Sequence, residues 1–474
     1  MDNKVKNIIV VGVSAIIALK LFIFGLSFPL DYRVRGDAYQ YLAIAHQFPN
    51  FYTIFEYAGP RTVGIPFLDF AIGRLALSLS GSDAISMLTW ANAIGLVLLV
   101  THLVSTWLFS SWLLKTGFIR SHHVALGMFF LLATYPPLIG HTTTPLSDTL
   151  TVDLLLLGLI ALHFALHSTA PLRSMFHMAM AAGVMGFAIL VRPGNLLPFA
   201  AALMVTLVFA AFQSAKKVAV IIGISLGILL VLMPFGQNCM QKYGTVCLQS
   251  PTTFNFVESA QSGLRGARIQ WQKMHLSPGH TPILPDEFMY SHFAQKCNVQ
   301  HIMGVDQTSL TGCLLSQPMA LPVFLVKKWI GLFDHYRFTP YLENITPGWL
   351  MSLTRFYDVL AWIGFSLVVL IPFQAAFSRE HRASFNEKLV NPLTPLFLIS
   401  YTVFLLLQHT ALHTEDRYGF PLIPLALITL AIYFEKLCQH RHAYRTWWPI
   451  GIYCLLAGII FLAQVRAWDR AVFF

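Results

Sequence analysis

Apolar runs long enough to cross a bilayer recur along this chain, and nothing constrains its fold more. The first is roughly Asn7 to Leu30. Others follow at about 84–114, 123–140, 146–168, 174–191, 194–213, 217–235, 354–378, 391–412, 418–437 and 446–465. A helix needs about 20 apolar residues to span the hydrocarbon core. Backbone N–H and C=O groups at that depth must be bonded within the segment, so helices are the form such runs take. Only 11% of the 474 residues are charged and 56% are hydrophobic, whereas soluble domains carry roughly 25% charged residues. The sequence predicts an all-α polytopic membrane protein of about eleven spans. No internal repeat or low-complexity tract stands out.

Charge placement supports that count. Lys4 and Lys6 precede the first span and predict a cytoplasmic N-terminus. That span is too long for a signal-peptide core and has no small-x-small cleavage site after it, so it reads as a retained anchor. Lys115, Arg120, Arg173, Lys216, Lys217, Arg379, Arg382, Lys388, Lys436, Arg441 and Arg445 then fall in the loops the count places inside. Such topology-setting residues account for the net charge of +10, so a nucleic-acid partner is not implied. Two segments read as helices lying at the membrane surface. Ile65 to Leu79 is amphipathic with Asp69 and Arg74, and Met319 to Phe333 carries Lys327 and Lys328 at its middle.

The predicted organisation is an N-terminal transmembrane module over 1–235, an exported loop domain with its surface helix over 236–353, and a C-terminal transmembrane module over 354–474. The exported stretch, Gly236 to about Pro318, holds Cys239, Cys247, Cys297 and Cys313, four of the six cysteines. That concentration suggests two disulfides in an oxidising compartment. Four cysteines allow three pairings, of which the local one, Cys239–Cys247 with Cys297–Cys313, is preferred.

Unusual polar residues gather on the predicted outer face. They are Asp31, Asp37 and Arg61 in the loop 31–66; His141 and Asp148; Arg192; Lys327 and Lys328; and Glu415, Asp416, Arg417 and Tyr418. Ionisable residues at membrane depth mark substrate paths. Carboxylates mixed with arginine and lysine suit a ligand that carries a phosphate.

Several of these stretches resemble the GT-C glycosyltransferases, the group containing protein O-mannosyltransferases and the aminoarabinose transferase of lipid A. Asp37-Ala-Tyr-Gln-Tyr41-Leu-Ala-Ile-Ala resembles the acidic motif after the first span in that group. Arg61-Thr-Val-Gly64-Ile-Pro66-Phe-Leu resembles the R-x-P-G-x-P-L-L stretch that follows it. Pro145-Leu-Ser-Asp148, Leu190-Val-Arg192-Pro193 and Arg417-Tyr418-x-x-Pro421-x-x-Pro424 match in order and topology. The resemblance implies a GT-C-like fold, a polyprenyl-phosphate sugar donor and an active site on the outer face. Ala38 stands where the group commonly has Glu, which leaves a two-carboxylate site without its second member unless Asp31 compensates.

Each residue has a structural reading beside the functional one. Asp37 is the candidate general base, set to take the proton of an acceptor hydroxyl; the alternative is a carboxylate at the N-terminus of helix 38–46. Arg61, Arg192 and Arg417 are candidates to bind phosphate or orient the base, and Tyr418 is a substrate-binding candidate; the alternative for the arginines is snorkelling to headgroups. Asp31 is either a site residue or a loop residue salt-bridged to Arg33 or Arg35. Tyr41 shares the helix face of Asp37, where it meets Asp37 or substrate, or packs in the core. Lys328 and its neighbour Lys327 face a donor phosphate or lipid headgroups. His141 and Asp148 are substrate-binding candidates and, with Asp37, would make a metal site. No His-x-x-x-His or Glu-x-x-His pattern falls on an outer helix, which counts against a metal, although a divalent ion stays open as a cofactor.

The expected function is an inverting transfer of a monosaccharide from a polyprenyl phosphate to a glycan, lipid or protein of the cell envelope, as in lipopolysaccharide or glycan modification. The expected location is a bacterial inner membrane, with the site facing outward. Two alternatives are a ligase or polymerase using a polyprenyl-diphosphate glycan and a lipid-linked saccharide flippase. The early acidic loop argues against the first. The second predicts paired broken helices, and Arg192-Pro193 has no counterpart in the second half.

Overall fold

The structure is a computed structural model that describes residues 3–34, 36–57, 61–81, 86–196, 199–201, 203–204, 206–207, 214–245, 247, 329–333, 335, 347–377, 419–439 and 444–473. Among these residues the regular structure is helical, without strands. Cys297, Cys313, Lys327, Lys328, Arg417 and Tyr418 lie outside the described residues, as do the expected span 391–412 and the exported stretch beyond residue 247.

The first long helix, α1 (Asn3–Leu26), ends just before Ser27 and Pro29, because proline lacks an N–H and disfavours helix at the residue before it. Four further helices precede the next long one: α2 (Leu30–Arg33), α3 (Gly36–Gln47), α4 (Phe51–Phe55) and α5 (Gly64–Ser80). Asn50 starts α4, its Oδ1 accepting from the N–H groups of Tyr52 and Thr53 at 2.9 and 3.2 Å. The long helices then alternate in direction: α6 (Met87–Lys115), the pair α7 (His122–Ala133) and α8 (Pro136–Thr142), α9 (Ser147–His167) and α10 (Pro171–Val191). Next come α11 (Ser214–Val231) and α12 (Met233–Tyr243), followed later by α13 (Gly348–Phe377), α14 (Leu422–Gln439) and α15 (Tyr444–Phe473).

Among the described residues four helices are long and apolar enough to cross a membrane, or six if each bent pair counts as one span. The figure of about eleven stays a sequence expectation. The structure changes two of the expected spans. The run 123–140 is not one straight helix: α7 and α8 meet at a 47° bend, where Pro136 and Pro137 restart the chain. The run 217–235 likewise bends by 53° and continues to Tyr243, with Pro234 at the start of its second part. The Arg192-Pro193 break is present: α10 stops at Val191 and a short 3₁₀ turn covers Pro193–Asn195.

The side chains of α5 face differently from their expected roles. Arg74 is exposed and donates to the Pro49 carbonyl, at 2.6 Å, whereas Asp69 is fully buried. Five helical residues rotate the chain by about 500°, which puts these two on nearly opposite faces. One apolar core runs through both ends of the sequence, from Phe109 and Leu156 to Phe365 and Phe461. Cys239 within α12 is bonded to Cys247, with Cα atoms 5.3 Å apart. Phe235 of α12 packs with Ile44, Phe48, Ile54 and Val63, so this stapled helix backs the α3–α5 loop.

Candidate functional site

Because the long helices alternate, the segment α2–α5, the end of α8, the start of α9 and the end of α10 meet at one end of the bundle. Gly64 makes that meeting close. A Cβ on it would stand 2.5 Å from the Val191 nitrogen and 2.7 Å from the Leu190 oxygen, so only glycine lets α5 rest on the last turn of α10. Thr62 Oγ1 also reaches the Val191 carbonyl at 3.4 Å. Arg61 and Arg192, each within a few residues of this contact, are thereby fixed relative to one another.

Two carboxylate–arginine pairs result. Asp37, in the first turn of α3, accepts from Arg61 Nη2 at 2.5 Å, and Arg61 Nε donates to Gln40 Oε1 at 2.8 Å. The two side chains are 24% and 33% exposed. Asp148, in the first turn of α9, is buried; its Oδ1 pairs with Arg192 Nη1 and its Oδ2 lies 3.3 Å from His141 Nδ1. Arg192 keeps 19% of its side chain exposed. Tyr41 stands between the pairs. Burial first, and then the Asp37 carboxylate, push its phenol up; Arg61 and Arg192 oppose this, and Asp148 adds to it. Its ring is buried with Ala38, Leu42, Ile65 and Val191.

A second polar group adjoins the first. Phe420 lies with its ring centroid 4.7 Å from that of His141 and also 4.7 Å from that of His335. Asp358, on α13, accepts from the His335 backbone N–H at 3.1 Å, and its Oδ1 lies 3.1 Å from His335 Nδ1. The Tyr135 hydroxyl, at the α7–α8 break, donates to the same carboxylate and sits 2.9 Å from His335 Nδ1.

The sequence candidates therefore divide. Asp37, Arg61, Tyr41, Asp148, Arg192 and His141 are brought together. Asp31 is exposed at the start of α2 and makes no ion pair among the described residues. Of the two expected partners of Asp31, Arg35 lies outside the described residues, and Arg33 is buried and donates to Phe28 O at 3.1 Å and Asn92 Oδ1 at 2.9 Å. No group of three or more histidine, cysteine or acidic side chains able to hold a metal occurs among the described residues. Asp37 and Asp148 are each already neutralised by a guanidinium, so they do not fit a divalent cation as they stand.

Tyr135, His335, Asp358 and Phe420 were not foreseen from the sequence. Asp358 carried a usable signal, being an acidic residue within an apolar run. So did His102 and Asp153, which meet at 2.9 Å in the bundle interior, where Ser105 also donates to Asp153 at 2.6 Å. His102 Nε2 donates to the Leu132 carbonyl at 3.1 Å, so this group ties α6, α7 and α9 together.

The sequence matches no protein-family model and no curated protein. The fold is similar to that of solved structures of the Archaeoglobus fulgidus oligosaccharyltransferase. The match to the apo form has a TM-score of 0.51 and 14% identity, covering 98% of this chain and 56% of that one. The match to the form tethered to an acceptor peptide containing the NVT sequon has a TM-score of 0.50 and 13% identity, covering 98% and 55%. The chain thus shares the fold of this oligosaccharyltransferase over its own length. It spans little more than half the length of these neighbours.

Proposed function

We propose that this chain is an inverting membrane glycosyltransferase that moves a monosaccharide from a polyprenyl phosphate to a glycan, lipid or protein acceptor. The observation that carries this reading is the convergence of two carboxylate–arginine pairs around Tyr41 at one end of a GT-C-fold bundle. In this mechanism Asp37 takes the proton of the acceptor hydroxyl as that oxygen attacks the anomeric carbon. Arg61 holds the Asp37 carboxylate in place, and Gln40 in turn steadies Arg61. The bond to the polyprenyl phosphate breaks as the new one forms, on the opposite face of the sugar. Arg192, braced by Asp148 and still partly exposed, faces the departing phosphate and stabilises its charge. No step requires a metal. The site would face the outside of a bacterial inner membrane, with the disulfide of α12 in the oxidising compartment.

The test is turnover of a panel of radiolabelled polyprenyl-phosphate sugars by purified protein in lipid. One donor is expected to release its label. Asp37→Asn is expected to lower that rate about 10²- to 10⁴-fold while donor binding persists. Normal turnover by Asp37→Asn would remove Asp37 as the base.

The fold neighbours favour a second reading. The Archaeoglobus fulgidus enzyme is an oligosaccharyltransferase, and one of its structures carries a tethered acceptor peptide. On that reading the donor is a lipid-linked glycan and the acceptor a peptide. Transfer from a diphosphate-linked glycan, with no turnover of monosaccharide donors, would select it.

A further inference from the structure

We propose that His335 is a positioning residue of the candidate site, acting through Phe420 on the His141–Asp148–Arg192 group. This inference rests on the reading of that group as part of a transferase site. His335 is 1% exposed and Asp358 0% exposed, so neither touches a substrate directly. What they do is fix a ring. Asp358 receives the His335 backbone N–H, the His335 Nδ1–H and the Tyr135 hydroxyl. A carboxylate with three donors is satisfied even when buried. His335 is therefore anchored through its backbone N–H and through one ring nitrogen, Nδ1, which also meets the Tyr135 hydroxyl.

The held imidazole packs on Phe420, with 39° between the ring planes. Phe420 presents its ring to His141 in an edge-to-face contact at 78°, a favoured aromatic geometry. His141 in turn reaches Asp148 Oδ2, while Asp148 Oδ1 holds Arg192. A continuous line of contacts thus runs from Asp358 to the guanidinium that faces the leaving phosphate. Gly419 makes room for it: a Cβ there would collide with the Leu332 backbone. Phe420 is consequently carried on a chain segment pressed against the turn that leads to His335.

With the His335 ring removed, Phe420 loses its backing. The imidazole of His141 then drifts from Asp148, and Arg192 is no longer centred. Misplacement of this kind costs the chemical step far more than ground-state binding, because charge develops on the phosphate only as the bond breaks.

The experiment compares His335→Ala with His335→Phe in lipid nanodiscs. Both variants lose the Nδ1 bond to Asp358, so the polar cost to folding is common to them. Only the phenylalanine keeps a ring against Phe420. The alanine variant is expected to lower kcat about 10- to 100-fold with the donor KM changed less than about threefold, and the phenylalanine variant to recover most of the loss. In protein labelled with ¹⁵N-histidine, the His141 ring signals are expected to move in His335→Ala and to return in His335→Phe. Phe420→Leu, which leaves the Asp358 network intact, is expected to reproduce the alanine effects even if His335→Ala does not fold. Equal kcat in the alanine and phenylalanine variants, or unmoved His141 signals in His335→Ala and Phe420→Leu, would overturn the proposal. If wild type turns over no donor, the transferase reading fails and the His141 signals alone decide whether the coupling exists.

Discussion

Asp69 is fully buried, and neither of its carboxyl oxygens has a hydrogen-bond partner among the described residues. Burial alone pushes this carboxyl well above its ordinary value. The folded protein therefore keeps a proton on Asp69 at pH values where the unfolded chain has released it. Stability falls with rising pH wherever the native state binds more protons. The fall begins near the ordinary carboxylate value and ends once the native group has itself ionised. Asp69→Asn cannot ionise and lacks this slope. Unfolding midpoints measured from about pH 5 to about pH 8 are expected to decline more steeply for wild type than for Asp69→Asn. Parallel curves would mean that Asp69 is not the protonated group. The contrast with Asp148 is physical: that carboxylate is also buried, but Arg192 and His141 satisfy it.

At the scale of elements, close helix approach does much of the positioning. Gly223 and Gly227 of α11 admit no Cβ without collision with the backbone of α10 at Met175 and Ala179, the small-residue packing expected where lipid removes the hydrophobic drive between helices. Gly64 does the same for α5 against α10, with the difference that two site arginines flank it. Gly64→Ala is expected to destabilise the protein by about 1–3 kcal/mol and to lower donor turnover together with stability. Gly127, exposed in the middle of α7 with nothing among the described residues within 4 Å of an added Cβ, is the matched control. Gly127→Ala is expected to be stabilising by about 0.5–1 kcal/mol with unchanged turnover. Thermal melts and donor turnover of the two variants check both statements, and similar behaviour at both positions would refute the close-approach argument.

Elements of this kind were legible in advance to different degrees. The break at Arg192-Pro193 and the helix across 64–80 could be seen because proline and apolar periodicity act locally. The Asp37–Arg61 pairing was within reach of motif order. The side of α5 that Asp69 faces was not, since an amphipathic pattern does not say which polar residue the neighbours enclose. The Tyr135–His335 contact joins residues 200 apart, and local pattern carries no information about such a meeting.

Taken as one molecule, the C-terminal helices are fastened to the N-terminal ones by buried carboxylates at both ends of the bundle. At the site end, Asp358 of α13 holds Tyr135. At the opposite end, Glu435 of α14 accepts from the backbone N–H groups of Arg120, at 2.8 Å, and Ser121. Those groups lie at the start of α7, where Ser121 is the N-cap, so Glu435 satisfies free donors and complements the positive end of the helix dipole. The two fastenings sit at opposite ends of α7, and only the first borders the site. Stability and chemistry should therefore separate between them. Glu435→Ala strands two backbone donors and is expected to cost about 1–3 kcal/mol of stability. Turnover per folded molecule is expected to stay within about twofold of wild type, because changes at distant sites without shared partners act independently. The measurement pairs a denaturation midpoint in detergent with donor turnover normalised to folded protein. A large loss of turnover in Glu435→Ala would show that α7 transmits strain along its length, and that the C-terminal helices shape the site as a rigid unit rather than through Asp358 alone.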